Sequence, residues 1–298
     1  MSVNWQGVFP ALMTEFKQDE SLDLEATQRH IQSCLDAGIE GLVMLGTLGE
    51  NASLTPDEKE AVLKAAVEAA DGKIPVLSGV AEYTTAFAID HVRRAERAGC
   101  KGLMVLPTMV YQQDQREGIA HFKGVAGATD LPIMIYNNPI AYKLDLSPES
   151  FNDLAACDNI VAVKDSAHDS RRITDMINVC GDRFTIFCGV DDLVLENLLF
   201  GAEGWVSGLV NTFPRESVEL YKLAKAGKVD EAVRLYRWFM PLLHLDVDVK
   251  LVQMIKLANQ MAGEGSEWVR RPRMALDGEE RAMVEAVMNQ AIETRPNL

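Results

Sequence analysis

Eight short apolar runs, each followed by a segment with helical periodicity, fill roughly the first 225 residues of this 298-residue sequence. That order predicts an α/β fold, a (β/α)8 TIM barrel over 1–225 with a C-terminal helical extension over 226–298. Strands that alternate with helices pair in parallel, because each helix carries the chain back to the start of the next strand. The units recur near the roughly 30-residue length of a βαβ crossover, and eight of them suit closure into a cylinder. A doubly wound open sheet is the competing arrangement. Against it, no G-x-G-x-x-G turn follows the first strand.

The first apolar run covers 7–12, and a helical pattern follows over 24–37 until Gly38 stops it. The second run, 41–45, ends in Gly46-Thr47-Leu48-Gly49-Glu50. Thr55-Pro56 then opens a helix to about residue 70, with threonine as the cap and proline at the first helical position. Strand and helix alternate again at 74–80 and 84–98, 102–106 and 116–128, and 132–136 with a helix opening at Ser147-Pro148-Glu149. The last three strands are 160–164, 184–188 and 205–209, followed by helices at 170–179, 191–200 and from Pro214. Beyond that proline only helical patterns remain, near 214–226, 229–243, 248–262 and 278–293. The basic loop Arg270-Arg271-Pro272-Arg273 reads as a solvated turn, with an interface contact as the second reading.

The composition is that of an ordinary globular protein, 48% hydrophobic and 24% charged. A net charge of −15 argues against nucleic acid or an anionic membrane as partner, since both need a basic footprint. No apolar stretch reaches the 18 or so residues of a membrane span, and the N-terminus has no signal-peptide pattern. Five cysteines with no C-x-x-C pair suit a reduced, cytoplasmic protein. Scattered histidines and cysteines suggest no metal site.

Barrel chemistry sits at the C-terminal ends of strands. There the sixth strand, Ile160-Val161-Ala162-Val163, runs into Lys164. Lysine is almost never buried without a partner or a task. Burial lowers its pKa and frees the amine to attack a carbonyl. The bland alternative is a side chain that snorkels to water. Lys73 and Lys101 fall at the opposite rim, so Lys164 is the lysine placed for chemistry. Tyr136, one strand away, offers a phenol that can carry a proton. The glycine-bracketed turn at 46–49 can converge amide N–H groups on an anion such as a carboxylate, with the Thr47 hydroxyl beside it.

Four motifs in order, Gly46-Thr47-Leu48-Gly49-Glu50, Tyr136-Asn137-Asn138-Pro139, Val163-Lys164-Asp165 and Gly189-Val190-Asp191-Asp192, resemble the dihydrodipicolinate synthase / N-acetylneuraminate lyase family over essentially the whole chain. The resemblance implies a homotetramer without cofactor in which Lys164 forms a Schiff base with a 2-oxo acid. It makes Tyr136 the proton carrier, Thr47 its relay, and Tyr111 the nearest candidate for the tyrosine that a neighbouring subunit lends. Gly46, Thr47 and Leu48 would hold the carboxylate, and Val206 would line the pocket through its backbone.

Two departures bear on substrate. Leu48 stands where the synthase branch has a second hydroxyl residue, and Ala141 stands where that branch has a carboxylate-binding arginine. Losing that charge-assisted clamp favours a deaminase acting on 1-pyrroline-4-hydroxy-2-carboxylate, a cyclic imine. A dihydrodipicolinate synthase, a 2-keto-3-deoxy sugar-acid dehydratase or aldolase, and a non-catalytic scaffold on the same fold are the alternatives. The scaffold has Lys164, Tyr136 and Thr47 against it.

Overall fold

The computed structural model describes residues 3–108 and 111–298. Its eight strands are β1 (Gly7–Pro10), β2 (Leu42–Met44), β3 (Val76–Val80), β4 (Gly102–Val105), β5 (Ile133–Asn137), β6 (Ile160–Asp165), β7 (Thr185–Cys188) and β8 (Gly204–Ser207). All pair in parallel in the order β1-β8-β7-β6-β5-β4-β3-β2. The ring closes through a parallel bridge between Ala11 and Val43, where the Leu12 amide donates to the Val43 carbonyl at 2.8 Å. The expected (β/α)8 barrel is the observed fold.

Side chains alternate across each strand, so every second residue enters the barrel. Each strand gives at least one residue to the inner cluster, Phe9, Val43, Leu77, Met104, Met134, Ala162, Phe187 and Val206 in order, and β5 adds Tyr136. Phe9 and Phe187 meet edge-to-face at 5.1 Å and help fill the interior. The other strand faces, with Val8, Leu42, Val76 and Val163 among them, pack against the surrounding helices.

Those helices are α1 (Leu24–Asp36), α2 (Pro56–Ala70), α3 (Thr85–Ala98), α4 (Gln115–Ala126), α5 (Pro139–Tyr142), α6 (Pro148–Leu154), α7 (Arg171–Cys180), α8 (Val194–Leu199) and α9 (Pro214–Lys225). Local chemistry sets their starts. Thr55 and Asp114 form capping boxes with Glu58 and Glu117, which satisfies amides that the helices themselves leave free. Two details depart from the sequence reading. The short α5 was not expected, and the segment 191–200 divides into a single 3-10 turn and the short α8.

The extension contributes α10 (Val229–Leu243), α11 (Leu251–Met261) and α12 (Gly278–Glu293). It is tied to the barrel by a buried charge cluster. Lys256 of α11 has no exposed side-chain surface; it pairs with Glu50 at 2.8 Å and donates to the carbonyls of Thr14 and Trp268. The basic loop is not simply a solvated turn. Arg270 donates to both Glu58 oxygens at 2.9 Å and to the Glu20 and Ser53 carbonyls, fastening the extension onto α2. Arg271 alone of the three arginines is mostly solvent-exposed. No described helix is long and apolar enough to cross a membrane.

Candidate active site

The alternation that builds the inner cluster also builds the site. Ala162 points inward on β6, so Lys164 does too, at the C-terminal end of the strand. On β5, Met134 and Tyr136 share that face, and the register sets Tyr136 directly beside Lys164. The Lys164 ammonium nitrogen lies 4.2 Å from the centre of the Tyr136 ring. The following residues, Asn137 and Asp165, are also register partners and point outward. The Asn137 amide donates to Asp165 at 2.9 Å, and Arg172 pairs with Asp165 at 3.4 Å, which fixes both strand ends from behind.

Lys164 is buried, and burial holds its pKa below the usual lysine value against the attraction of Asp246 and Asp191. Among the described residues no carboxylate pairs directly with its amine. The amine opens on a cavity of about 420 Å³ lined by the 46–48 turn, Tyr136, Tyr142 and Asp246 among others. Gly189 and Gly208 make room for it. A Cβ on Gly189 would come within 2.1 Å of Ser166 Oγ and 2.7 Å of Lys164 Cε, and one on Gly208 within 1.9 Å of Asp246 Oδ1.

The 46–50 turn is bracketed by Leu45 and Glu50, both with left-handed φ, at 58° and 52°. Glu50 and Asn51 return their amides to the carbonyls of Thr47 and Gly46. The amides of Thr47 and Leu48 donate to no described residue, which leaves them free for an anion. Glu50, at the end of the turn, is the partner of Lys256, so the extension helps hold the cradle.

Tyr136 keeps its proton, because burial pushes its pKa up to about 12. Its hydroxyl accepts from Asn138 Nδ2 at 3.1 Å. The same side chain caps α5, where Asn138 Oδ1 accepts from the Ala141 amide at 2.9 Å and Pro139 takes the first helical position. That one-turn helix delivers Tyr142 to the cavity. The Tyr142 hydroxyl makes a short hydrogen bond with the Thr47 hydroxyl, and its ring meets that of Tyr136 edge-to-face at 5.6 Å.

Lys164, Tyr136, Thr47, Gly46 and Leu48 therefore converge on one cavity. Two expected residues do not join them within the chain. Val206 is fully buried in the barrel and does not reach the cavity wall, where Gly208 stands instead. Tyr111 is exposed, and its hydroxyl donates to Glu117 at 2.8 Å. Its neighbours Met109 and Val110, part of the segment that was to carry the lent tyrosine, lie outside the described residues. The partner that Thr47 finds within the chain is Tyr142. The Asn138-Pro139 helix start was the signal for that residue. Asp246 had none, since it follows α10, far from the barrel strands in sequence.

Asp191 has a different part. Its carboxylate accepts from Trp205 Nε1 at 3.0 Å, Ser207 Oγ at 2.7 Å and the Leu209 amide at 3.0 Å, joining the ends of β7 and β8. Burial still raises its pKa to about 6.

A family model described as the dihydrodipicolinate synthetase family matches residues 4–291. The chain belongs to that family. It is 31% identical to 4-hydroxy-tetrahydrodipicolinate synthase of Methanothrix thermoacetophila over 96% of the chain and 97% of the relative. With the enzyme of the same name from Roseobacter denitrificans the identity is 35%, over 96% of this chain and 98% of that one. Among solved structures, dihydrodipicolinate synthase from Aquifex aeolicus superposes with a TM-score of 0.91 at 31% identity, covering 96% of this chain and 98% of the other. YagE, a family member from E. coli K12 in complex with pyruvate, gives a TM-score of 0.91 at 28% identity, covering 97% and 99%. Against the family's synthase pattern, the departures at Leu48 and Ala141 both fall on the cavity wall, and among the described residues no arginine lines it.

Proposed function

We propose that this family member is a lysine Schiff-base enzyme whose Lys164 amine attacks C2 of a pyruvate-like 2-oxo acid, releasing water and leaving a protonated imine. One observation carries the reading. A buried lysine amine without an ion-pair partner among the described residues lies in register with a tyrosine and opens on a cavity bounded by free turn amides. Its lowered pKa favours the neutral, nucleophilic form. The amides of Thr47 and Leu48 receive the carboxylate. Tyr136, a neutral phenol, hands a proton to the departing oxygen and takes one from C3, with Thr47 and Tyr142 as the next links. The complex of YagE with pyruvate supports a 2-oxo acid as ligand. The test is borohydride reduction in the presence of pyruvate, read by intact mass. Wild-type protein gains the reduced adduct and Lys164→Ala gains none; no adduct on the wild type refutes the reading.

For the reaction that follows, the relatives' names favour condensation, as in 4-hydroxy-tetrahydrodipicolinate synthase, over the deaminase that the two departures suggested. A second reading, elimination from a hydroxylated 2-oxo acid or its cyclic imine, rests on the cavity wall itself. Ala141 and Leu48 supply no clamp for a distal carboxylate, and Asp246, an acidic residue, supplies none either. Product analysis with pyruvate plus aspartate semialdehyde, and separately with 1-pyrroline-4-hydroxy-2-carboxylate, separates the two. A homotetramer is part of the proposal. The exposed aromatic side chains of Tyr83, Phe87 and Tyr111 are suited to contact between copies, and light scattering measures it.

A further inference from the structure

The C-terminal extension brings two acidic residues to the barrel mouth: Asp248, which is exposed and accepts from the Lys250 amide at 2.8 Å, and the less exposed Asp246. After α10 the chain makes a 3-10 turn over His244–Asp246 and crosses above the ends of β7 and β8. Several contacts fix that crossing. Leu242, Leu243 and Leu245 are buried, Tyr236 of α10 donates to Glu196 at 2.8 Å, and His244 Nδ1 lies 3.1 Å from Asp192. Asp246 consequently rests against Gly208, so close that a side chain at residue 208 would displace its carboxylate. The carboxylate faces the same cavity as Lys164.

Its surroundings separate it from the other acid near the lysine. Asp191 is held by three donors and so is spent on structure. Asp246 accepts no hydrogen bond from a described side chain or amide, although it sits in a half-buried wall between Gly208 and Lys164. A carboxyl group placed that way wants a partner from the substrate. Burial and the nearby Asp191 carboxylate raise its pKa well above the usual carboxylate range, which favours the protonated acid, while the Lys164 ammonium opposes them.

We propose that Asp246 is the catalytic acid for a leaving hydroxyl at C4 of the substrate, and that the preferred substrates are therefore 2-oxo acids carrying a neutral hydroxyl at that carbon. The proposal rests on the Schiff-base reading of Lys164. Once the imine has formed, Tyr136 removes a proton from C3 and the C–H electron pair makes the enamine. The enamine then expels the C4 oxygen, which takes the Asp246 proton and leaves as water. The product is a conjugated imine with a C3–C4 double bond, and Asp246 is left as a carboxylate. Hydrolysis releases the unsaturated 2-oxo acid and restores the amine, and solvent reprotonates Asp246. No oxidant or reductant enters. A substrate hydroxyl at C4 meets a donor in Asp246, whereas among the described residues no arginine lines the wall to clamp a distal carboxylate. Besides Lys164, its basic side chains are His168 and Lys143, whose amine donates to the Ile140 carbonyl at 2.8 Å.

The experiment uses the full-length protein with two probes, pyruvate and 4-hydroxy-2-oxopentanoate, each reduced with borohydride and weighed as the intact adduct. On the wild type, pyruvate leaves its simple adduct and the hydroxy acid leaves an adduct that has lost water. In Asp246→Asn the readout is the ratio of dehydrated to intact hydroxy adduct, expected to fall at least about 100-fold, the scale of general acid catalysis. Asp246→Glu should recover part of that ratio, which a merely structural role would not produce. Asp191→Asn should lower both kinds of adduct together, because it loosens the frame. A wild-type ratio in Asp246→Asn, or a wild-type adduct that keeps its hydroxyl, overturns the proposal. No adduct with either probe on the wild type overturns the Lys164 reading instead.

Discussion

Gly189→Ala tests whether the geometry around Lys164 is as tight as the structure shows. The added Cβ would lie 2.1 Å from Ser166 Oγ and 2.7 and 2.8 Å from Cε and Cγ of Lys164. Carbon atoms rest at about 3.5–4.0 Å, so the lysine stem has to retreat by about 0.7 Å or more. The stem cannot retreat freely. Lys164 is locked between β5 and β7 through Tyr136 and Phe187, and the Ser166 hydroxyl donates to the Gly189 carbonyl at 2.8 Å. Misplacing a reacting group by about 1 Å costs on the order of 10²-fold in rate, and forcing a methyl into a packed site costs about 1–3 kcal/mol. The initial rate of borohydride trapping with pyruvate should therefore fall about 10–100-fold, with a Tm lower by a few degrees. The assay is a quenched time course read by mass, paired with thermal unfolding. Wild-type trapping at wild-type Tm would refute the reasoning, because it would mean that the lysine does not occupy the space in front of Gly189.

Tyr136→Phe should slow proton transfer by roughly 10²–10⁴-fold in turnover assays, and Tyr142→Phe should slow it too by breaking the link to Thr47. If Tyr111→Phe slows the reaction and Tyr142→Phe does not, the relay tyrosine comes from a neighbouring copy. Lys256→Met should cost about 3–5 kcal/mol in urea unfolding, since it leaves the Glu50 carboxylate buried without its partner. His91 supplies a pH dependence. Burial, with Lys59 next, holds its pKa down to about 4 against 6.5, so the folded protein keeps it neutral, with its ring 2.9 Å from Ser78 Oγ. Between those values the unfolded chain binds the extra proton, and stability is complete above about pH 6.5 and falls as the pH drops. The loss reaches about 3 kcal/mol by pH 4. Urea titrations across that range should show a shallower slope for His91→Gln, and equal slopes would remove His91 as the cause.

The parts of the site that the sequence made legible are those that a strand carries. An apolar run ending in lysine fixes both the strand and, by alternation, the direction of the side chain. Tyr136 follows by the same rule one strand over. The turn at 46–50 was legible because glycines bracket it. Val206, which only the family resemblance implies, does face inward, but β8 continues to Ser207 and the next inward position, Gly208, is the one that reaches the rim. Tyr142 and Asp246 were missed, and for different reasons. Tyr142 depends on a helix of a single turn, too short to leave a periodic pattern. Asp246 depends on how the extension packs over β7 and β8, a tertiary contact with no local signature. Arg270 and Lys256 belong with Asp246. A basic loop and a lysine on an amphipathic helix look solvated until their acidic partners in the barrel are placed.

On the proposed mechanism the extension takes part in the chemistry as well as in the stability. Lys256 reaches Glu50 at the foot of the carboxylate cradle, Arg270 clamps the start of the helix that follows it, and Asp246 stands in the cavity wall. Lysine and tyrosine come from adjacent inward positions of the barrel, a part defined by the strand pattern. On the proposed mechanism, what distinguishes one 2-oxo acid from another comes from segments beyond the strands: α5 with Ala141 and Tyr142, and the turn after α10 with Asp246. Such segments can change sequence without disturbing the barrel. If Lys164 forms the proposed imine, that one step can serve several second steps, and the identity of the second step has to be sought at Leu48, Ala141 and Asp246 and not at Lys164.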